Sequence, residues 1–294
     1  MEKITMLGTG HAMTLNCFNT CFVYENDNGK MLVDTGGGQQ LLRQLRDAGI
    51  STSEIDAIFI THQHTDHLLG LPWIIRSAGH GRNNKPVSVY MHKELMDIAL
   101  GMLELLLPEK LENFRSHVNF VSLEDGDTAE ILGCPFTFFD THNFKCSQFG
   151  FSMQLQSGKR LAFCGDVPFS EENRALIEGT DYLVHEAFSL ESAKGPGGMP
   201  PMGGPMPPMG EPGPGMPGGP GKGPGGPGGP GNIGHSTVRG AAKIAEGLHA
   251  GTLILVHGSD DDLENRQKAY TEEAASEFSG RIFVPYDLDV IELD

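Results

Sequence analysis

Cationic side chains and thiols are both scarce in this 294-residue chain, and each shortage excludes a class of protein. Lys and Arg number 21 against 38 Asp and Glu, a formal charge of −17. Broad contact with nucleic acid depends on cations displacing counterions, so it is not favoured here, although a local basic patch stays compatible with the composition. The five cysteines, Cys17, Cys21, Cys134, Cys146 and Cys164, are odd in number and contain no Cys-x-x-Cys pair. That argues against a disulfide framework and for a reduced, cytoplasmic setting. No run of about 18 apolar residues exists, so no membrane span is expected. The chain enters a first strand at Lys3 with no secretory leader before it. A soluble protein with one domain over residues 1–294 is the expectation.

Histidine is plentiful by contrast, with 12 residues. Four potential ligands crowd one turn: His62, His64, Asp66 and His67. They follow the short β-branched and aromatic run Asp56–Ile60 and precede the apolar stretch opened by Leu68 and Leu69, so they sit at a strand-to-helix turn. In extended chain, side chains two apart point the same way. His62 and His64 can then reach one metal ion while Asp66 and His67 turn toward a second. Imidazole and carboxylate without thiolate suit zinc best, and Mn2+ or Fe2+ fits the same donors.

The remaining pattern alternates strands with helices, an α/β chain. Strands are expected at 4–7, 20–24 and 31–33, the last two as a hairpin, then at 56–60 and 87–91. Residues 92–107 form a helix whose apolar load is wider than one core-facing stripe. Deep burial, a homodimer interface or a substrate entrance would each account for it. Five strands between Val118 and Cys164 pair most simply as one antiparallel run. Another strand covers 181–188. From Gly195 to Gly231 every residue is Gly, Pro or Met except Glu211 and Lys222, a low-complexity insert read as a flexible loop unable to supply a core. Helices over 236–250 and 263–278 and strands at 252–256 and 281–293 follow, Ser236 being placed to cap the first helix. Two halves of this kind suggest a four-layer αββα sandwich.

A pair of ions needs more ligands than one turn supplies, and three candidates stand at strand ends: His142, Asp166 and His257. In this order, with Asp34 in the turn Leu-Val-Asp-Thr-Gly, the set resembles the metallo-β-lactamase superfamily of hydrolases over nearly the whole chain outside the insert. The resemblance implies that His62, His64 and His142 hold one Zn2+, that Asp66, His67 and His257 hold another, and that Asp166 bridges them. Leu-Gly-Thr-Gly10, Asp66-His-Leu-Leu-Gly-Leu-Pro72, His185-Glu-Ala-Phe188 and Gly234-His-Ser-Thr237 are similar to the ribonuclease Z branch. In that branch the counterpart of His235 acts near the leaving group, assisted by the counterpart of Glu186.

Departures from the branch bear on substrate. His142 and Asp166 are 24 positions apart, which leaves no room for the basic tRNA-gripping arm that ribonuclease Z usually carries there, and Phe18 replaces the Arg that commonly precedes the Asn of the first loop. The expectation is therefore a dinuclear zinc phosphodiesterase acting on a small or single-stranded phosphodiester, with Asp66 orienting the attacking water. The alternatives are a tRNA 3′-processing endonuclease, a lactone, thioester or sulfate-ester hydrolase, and a non-catalytic metal-binding or interaction protein.

Overall fold

Alternating strands and helices leave each sheet with two apolar faces, and the chain covers both. The computed structural model describes residues 1–78, 86–107, 117–191 and 234–294. The first sheet is built from β1 (Lys3–Gly8), β2 (Cys21–Asn26), β3 (Gly29–Val33), β4 (Ile55–Phe59), β5 (Val87–His92) and β6 (Val118–Leu123). The second holds β7 (Thr128–Ile131), β8 (Cys134–Asp140), β9 (Phe149–Gln154), β10 (Arg160–Phe163), β11 (Tyr182–Glu186), β12 (Thr252–Val256) and β13 (Arg281–Phe283). The last strand, β14 (Val290–Glu292), returns to the first sheet beside β1. The β2–β3 hairpin is tight, with Asn26 paired to Gly29.

The expected antiparallel run is corrected at its start. β6 pairs in parallel with β5 in the first sheet, and the run is antiparallel only from β7 to β10. Its alternation could not distinguish the two partners, because either placement buries one face. The two C-terminal strands likewise go to different sheets.

Facing side chains of the two sheets interdigitate in an aromatic core. Phe59 packs on Phe138 and Phe151 with ring centres 5.3 and 5.5 Å apart, and Phe22 meets Phe163 at 5.3 Å. On the outer face of the first sheet lie α1 (Gln40–Asp47), α2 (Thr65–Leu68), α3 (Leu71–Ala78) and α4 (Lys93–Leu106). The second sheet is covered by α5 (Arg174–Ile177), α6 (Val238–Gly247) and α7 (Leu263–Ala274). This is the αββα sandwich. Thr237, not Ser236, caps α6 by accepting from the Gly240 amide at 3.1 Å. α7 ends at Ala274, four residues short of the expected end, although Phe278 beyond it is still buried. On α4, Leu95, Met96, Ala99 and Leu103 are buried while Leu105 is 84% and Leu106 58% exposed. The Gly/Pro/Met insert lies outside the described residues.

Candidate metal centre

In both sheets the parallel strands run toward the same end of the sandwich, where residues just past their last hydrogen bonds are free to turn inward. Asp34 follows β3, His62 follows β4, Asp166 follows β10 and His257 follows β12. Glu186 closes β11. Two of these turns put a non-glycine residue in the left-handed region, Asp34 at φ 56° and His257 at 59°, and so does the turn after β8, at His142 with φ 59°. Such conformations are costly for side chains with a Cβ and concentrate at functional sites.

Asp34 organises the His62–His67 turn without belonging to it. Thr61 Oγ1 lies 3.0 and 2.9 Å from the two Asp34 oxygens, so its single proton is donated there, and it accepts from His62 Nδ1 at 2.9 Å. His67 Nδ1 donates to Asp34 Oδ2 at 2.7 Å. One buried carboxylate thereby places the Nδ1 proton of both histidines and turns both Nε2 atoms toward the cluster. Thr35 clamps the same turn, its amide and hydroxyl both donating to the His67 carbonyl. Gly70 allows that approach, since a Cβ there would stand 1.9 Å from the Thr35 carbonyl oxygen.

The Nε2 atoms converge on carboxylates. Asp166 Oδ2 is 3.5 Å from His62 Nε2, 3.6 Å from His67 Nε2 and 3.7 Å from His257 Nε2, and Asp66 Oδ2 is 3.3 Å from His67 and 3.6 Å from His257. Ligand atoms of His62, His67 and Asp166, of Asp66, His67 and His257, and of Asp166, His235 and His257 form three groups, each within 4.8 Å. Burial pushes both aspartates toward the neutral acid. The histidines outweigh it and hold both carboxyls well below the usual range, His62, His67 and His257 acting on Asp166 and His257 and His67 on Asp66. Burial keeps His62 neutral. In His67 burial opposes the charge, but Asp34 and Asp66 overcome it and raise its pKa.

The donor set fits a cation. His67 Nε2 and both ring nitrogens of His257 are buried with no hydrogen-bond partner among the described residues, and an orphaned buried donor or acceptor costs about 1–3 kcal/mol. Ligation would satisfy such atoms.

Not every expected ligand is drawn in. His64 stands at the N-cap of α2 and meets only His62 of the set, Nδ1 to Nε2 at 2.7 Å. The structure does not bring His142 to the cluster, for its Nε2 lies 3.3 Å from Glu172 Oε2 and its side chain is 34% exposed. His235 joins Asp166 and His257 instead. Its Nδ1 lies 3.5 Å from Glu186 Oε2, and its ring stacks between those of Phe188 and His257, each centre 5.2 Å away. Burial works against its charge, yet Glu186 and then Asp166 raise its pKa. Thr61, Gln148 and Phe188 carry functional contacts that sequence reasoning missed. Thr61 adjoins His62 and could have been suspected, and Phe188 ends the His185-Glu-Ala-Phe188 motif, whereas nothing local marks Gln148.

The family model described as Anti-Pycsar protein Apyc1 matches residues 2–194. The chain is similar to the ribonuclease Z of Natronomonas pharaonis, at 24% identity over 99% of this chain and 97% of that protein. Among solved structures it is similar to the metallo-β-lactamase fold protein YhfI from Bacillus subtilis, with a TM-score of 0.70, 16% identity, and coverage of 99% of this chain and 98% of that one. It is also similar to human tRNase Z, short form, with a TM-score of 0.68, 20% identity and 99% coverage of both chains. The fold expected from the motifs is the one these neighbours share.

Proposed function

The chain belongs to the Anti-Pycsar protein Apyc1 family and is a hydrolase of metallo-β-lactamase fold; from that premise we propose that it is a dinuclear metal phosphodiesterase for a small or single-stranded substrate. The observation that carries this is the convergence of His62, His67 and His257 on a single oxygen of Asp166. In this reading Asp66, His67 and His257 hold one ion, His62, His64 and His142 hold the other, and Asp166 is shared. His142 would have to leave Glu172 to do so. Zn2+ is the preferred occupant, with Mn2+ or Fe2+ fitting the same donors. Two bound cations would lower the pKa of a water toward 7 and neutralise charge on the phosphoryl oxygens.

The protein's own groups supply the rest. Asp66, kept ionised by its histidine neighbours, accepts a hydrogen bond from the attacking water and aims it. His235 keeps a proton because Glu186 faces its Nδ1, and it gives that proton to the leaving oxygen or stabilises phosphoryl charge. Burial of Glu186 keeps this pair out of competition with water.

Substrate size follows from what surrounds the centre. Between His142 and Asp166 the chain makes only β9, β10 and their connections, with no protruding arm. A cytoplasmic protein with a homodimer contact through α4 is consistent with the composition and with the exposed Leu105 and Leu106.

The test is metal content together with turnover on a panel of a nitrophenyl phosphodiester, a cyclic mononucleotide, a phosphomonoester, a lactone, a thioester, a sulfate ester and a precursor tRNA. Two ions per chain and preference for a small phosphodiester are expected. Faster turnover of the lactone, thioester or sulfate would overturn the reaction class, efficient tRNA cleavage the substrate size, and a metal-loaded but inert protein the enzymatic reading.

A further inference from the structure

The two oxygens of Asp166 face different neighbours. Oδ2 is the atom on which the three histidines converge, while Oδ1 accepts from Gln148 Nε2 at 2.5 Å. Gln148 has no exposed surface. Nothing in the sequence marks it, for its partner lies 18 residues away across a hairpin.

The direction of this contact is fixed by a chain of donors. The Lys145 amide can only donate, and it donates to Asn143 Oδ1 at 2.9 Å. Asn143 therefore presents Nδ2, which donates to Gln148 Oε1 at 2.9 Å. With Oε1 used in this way, Gln148 can present only its N–H group to Asp166. The main chain is pinned as well. The Thr141 amide and hydroxyl both donate to the Gln148 carbonyl, at 2.9 and 3.0 Å, and the next amide, Phe149, donates to the carbonyl of Thr61, the residue before His62. Room for the amide comes from Gly165, where φ is +74° and a Cβ would lie 2.4 Å from Gln148 Nε2.

We infer that Gln148 is a positioning residue of the metal centre: it occupies Oδ1 of Asp166 and leaves Oδ2 as the one oxygen offered to both cations. The inference rests on the proposed role of Asp166 as the shared ligand. A free carboxylate could close both oxygens on one ion and abandon the other. A buried, charge-assisted hydrogen bond to Oδ1 opposes that, so Gln148 favours the paired state over a singly loaded one. Asn143, beside His142, is the second member of the relay.

The experiment uses the full chain and Zn2+ alone, with calorimetric titration for stoichiometry and affinity, and the EPR spectrum of the Mn2+-loaded protein for coupling between paired ions. Gln148→Met keeps length and apolar bulk but removes the donor. It is expected to weaken the second ion by about 10–100-fold and to reduce the coupled Mn2+ signal. Asn143→Ala, which frees the amide to flip, is expected to give a smaller loss of the same kind. Melting of the metal-free proteins reads folding separately. If Gln148→Met fails to fold, Asn143→Ala carries the test alone. Wild-type affinity and coupling in the variant that folds would overturn the inference, provided that Asp166→Ala loses ions as expected. Retention of both ions by Asp166→Ala would instead overturn the shared-ligand reading, and this inference with it.

Discussion

His235 is a half-buried imidazole held between Phe188 and His257, with a fully buried carboxylate on its Nδ1 side. That environment suits a proton donor, since Glu186 stabilises the protonated ring and cannot itself be reached by solvent. His235→Ala is expected to lower turnover by a factor of about 10² to 10⁴, and far less on a nitrophenyl ester than on an alkyl ester, whose leaving oxygen needs the proton more. Equal losses on the two esters would remove the acid role, and loss of the ions themselves would make His235 a ligand. Asp34 is the second residue of consequence. Because it sets the tautomers of His62 and His67 at once, Asp34→Ala is expected to weaken metal binding by about 10–100-fold, read by the same titration.

At the scale of elements, the ends of strands carry the candidate ligands and their middles carry the stability. Phe59 on β4 is fully buried and links the two sheets through Phe138 and Phe151. Phe59→Ala should cost about 3–5 kcal/mol in denaturant unfolding, and a cost below 1 kcal/mol would mean that the core collapses around the gap. The loop before β2 is tethered from the other half of the molecule. Asp260, after β12, accepts from the amides of Leu15 and Asn16 at 2.7 and 2.5 Å. Burial opposes its charge, but those amides prevail and hold its carboxyl below the usual range. A carboxylate depressed in the folded state contributes stability above its unfolded pKa, near 3.9, and loses that contribution as the pH falls through the folded value. The difference in melting temperature between wild type and Asp260→Ala should therefore stay level from pH 7 to about 5 and shrink below about 4. A difference unchanged at pH 3 would show that the tether is not electrostatic.

For the whole molecule, the question is how a long Gly/Pro/Met segment coexists with a packed sandwich. Its flanks supply an answer. Ser189 and Thr237 are bridged, and the Phe188 amide donates to the Ser236 carbonyl at 3.0 Å, so the chain leaves and re-enters at one place. Loop closure varies only logarithmically with length, so removing residues 197–229 is expected to change stability by about 1 kcal/mol. A larger drop in melting temperature would mean that the insert packs on the domain. The negative charge resides in the rest of the chain, because Glu211 and Lys222 cancel within the insert.

Sequence alone determined most of the elements and named candidate ligands, of which His62, Asp66, His67, Asp166 and His257 meet in the structure. The 3.6 and 2.0 periodicities sort side chains by face whatever the partner, and His62-x-His64-x-Asp66-His67 names its chemistry through spacing along a single turn. Tertiary structure decided what depends on a neighbour distant in the chain. It gave β6 to the first sheet, because either placement satisfied the strand's own pattern. It set His142 beside Glu172 and His235 beside Asp166 and His257. It also joined Gln148 to Asp166 and Thr61 to Asp34, since a polar group buried by folding must find its hydrogen-bond partner among whatever residues the sheets carry to it, and sequence order does not record that meeting.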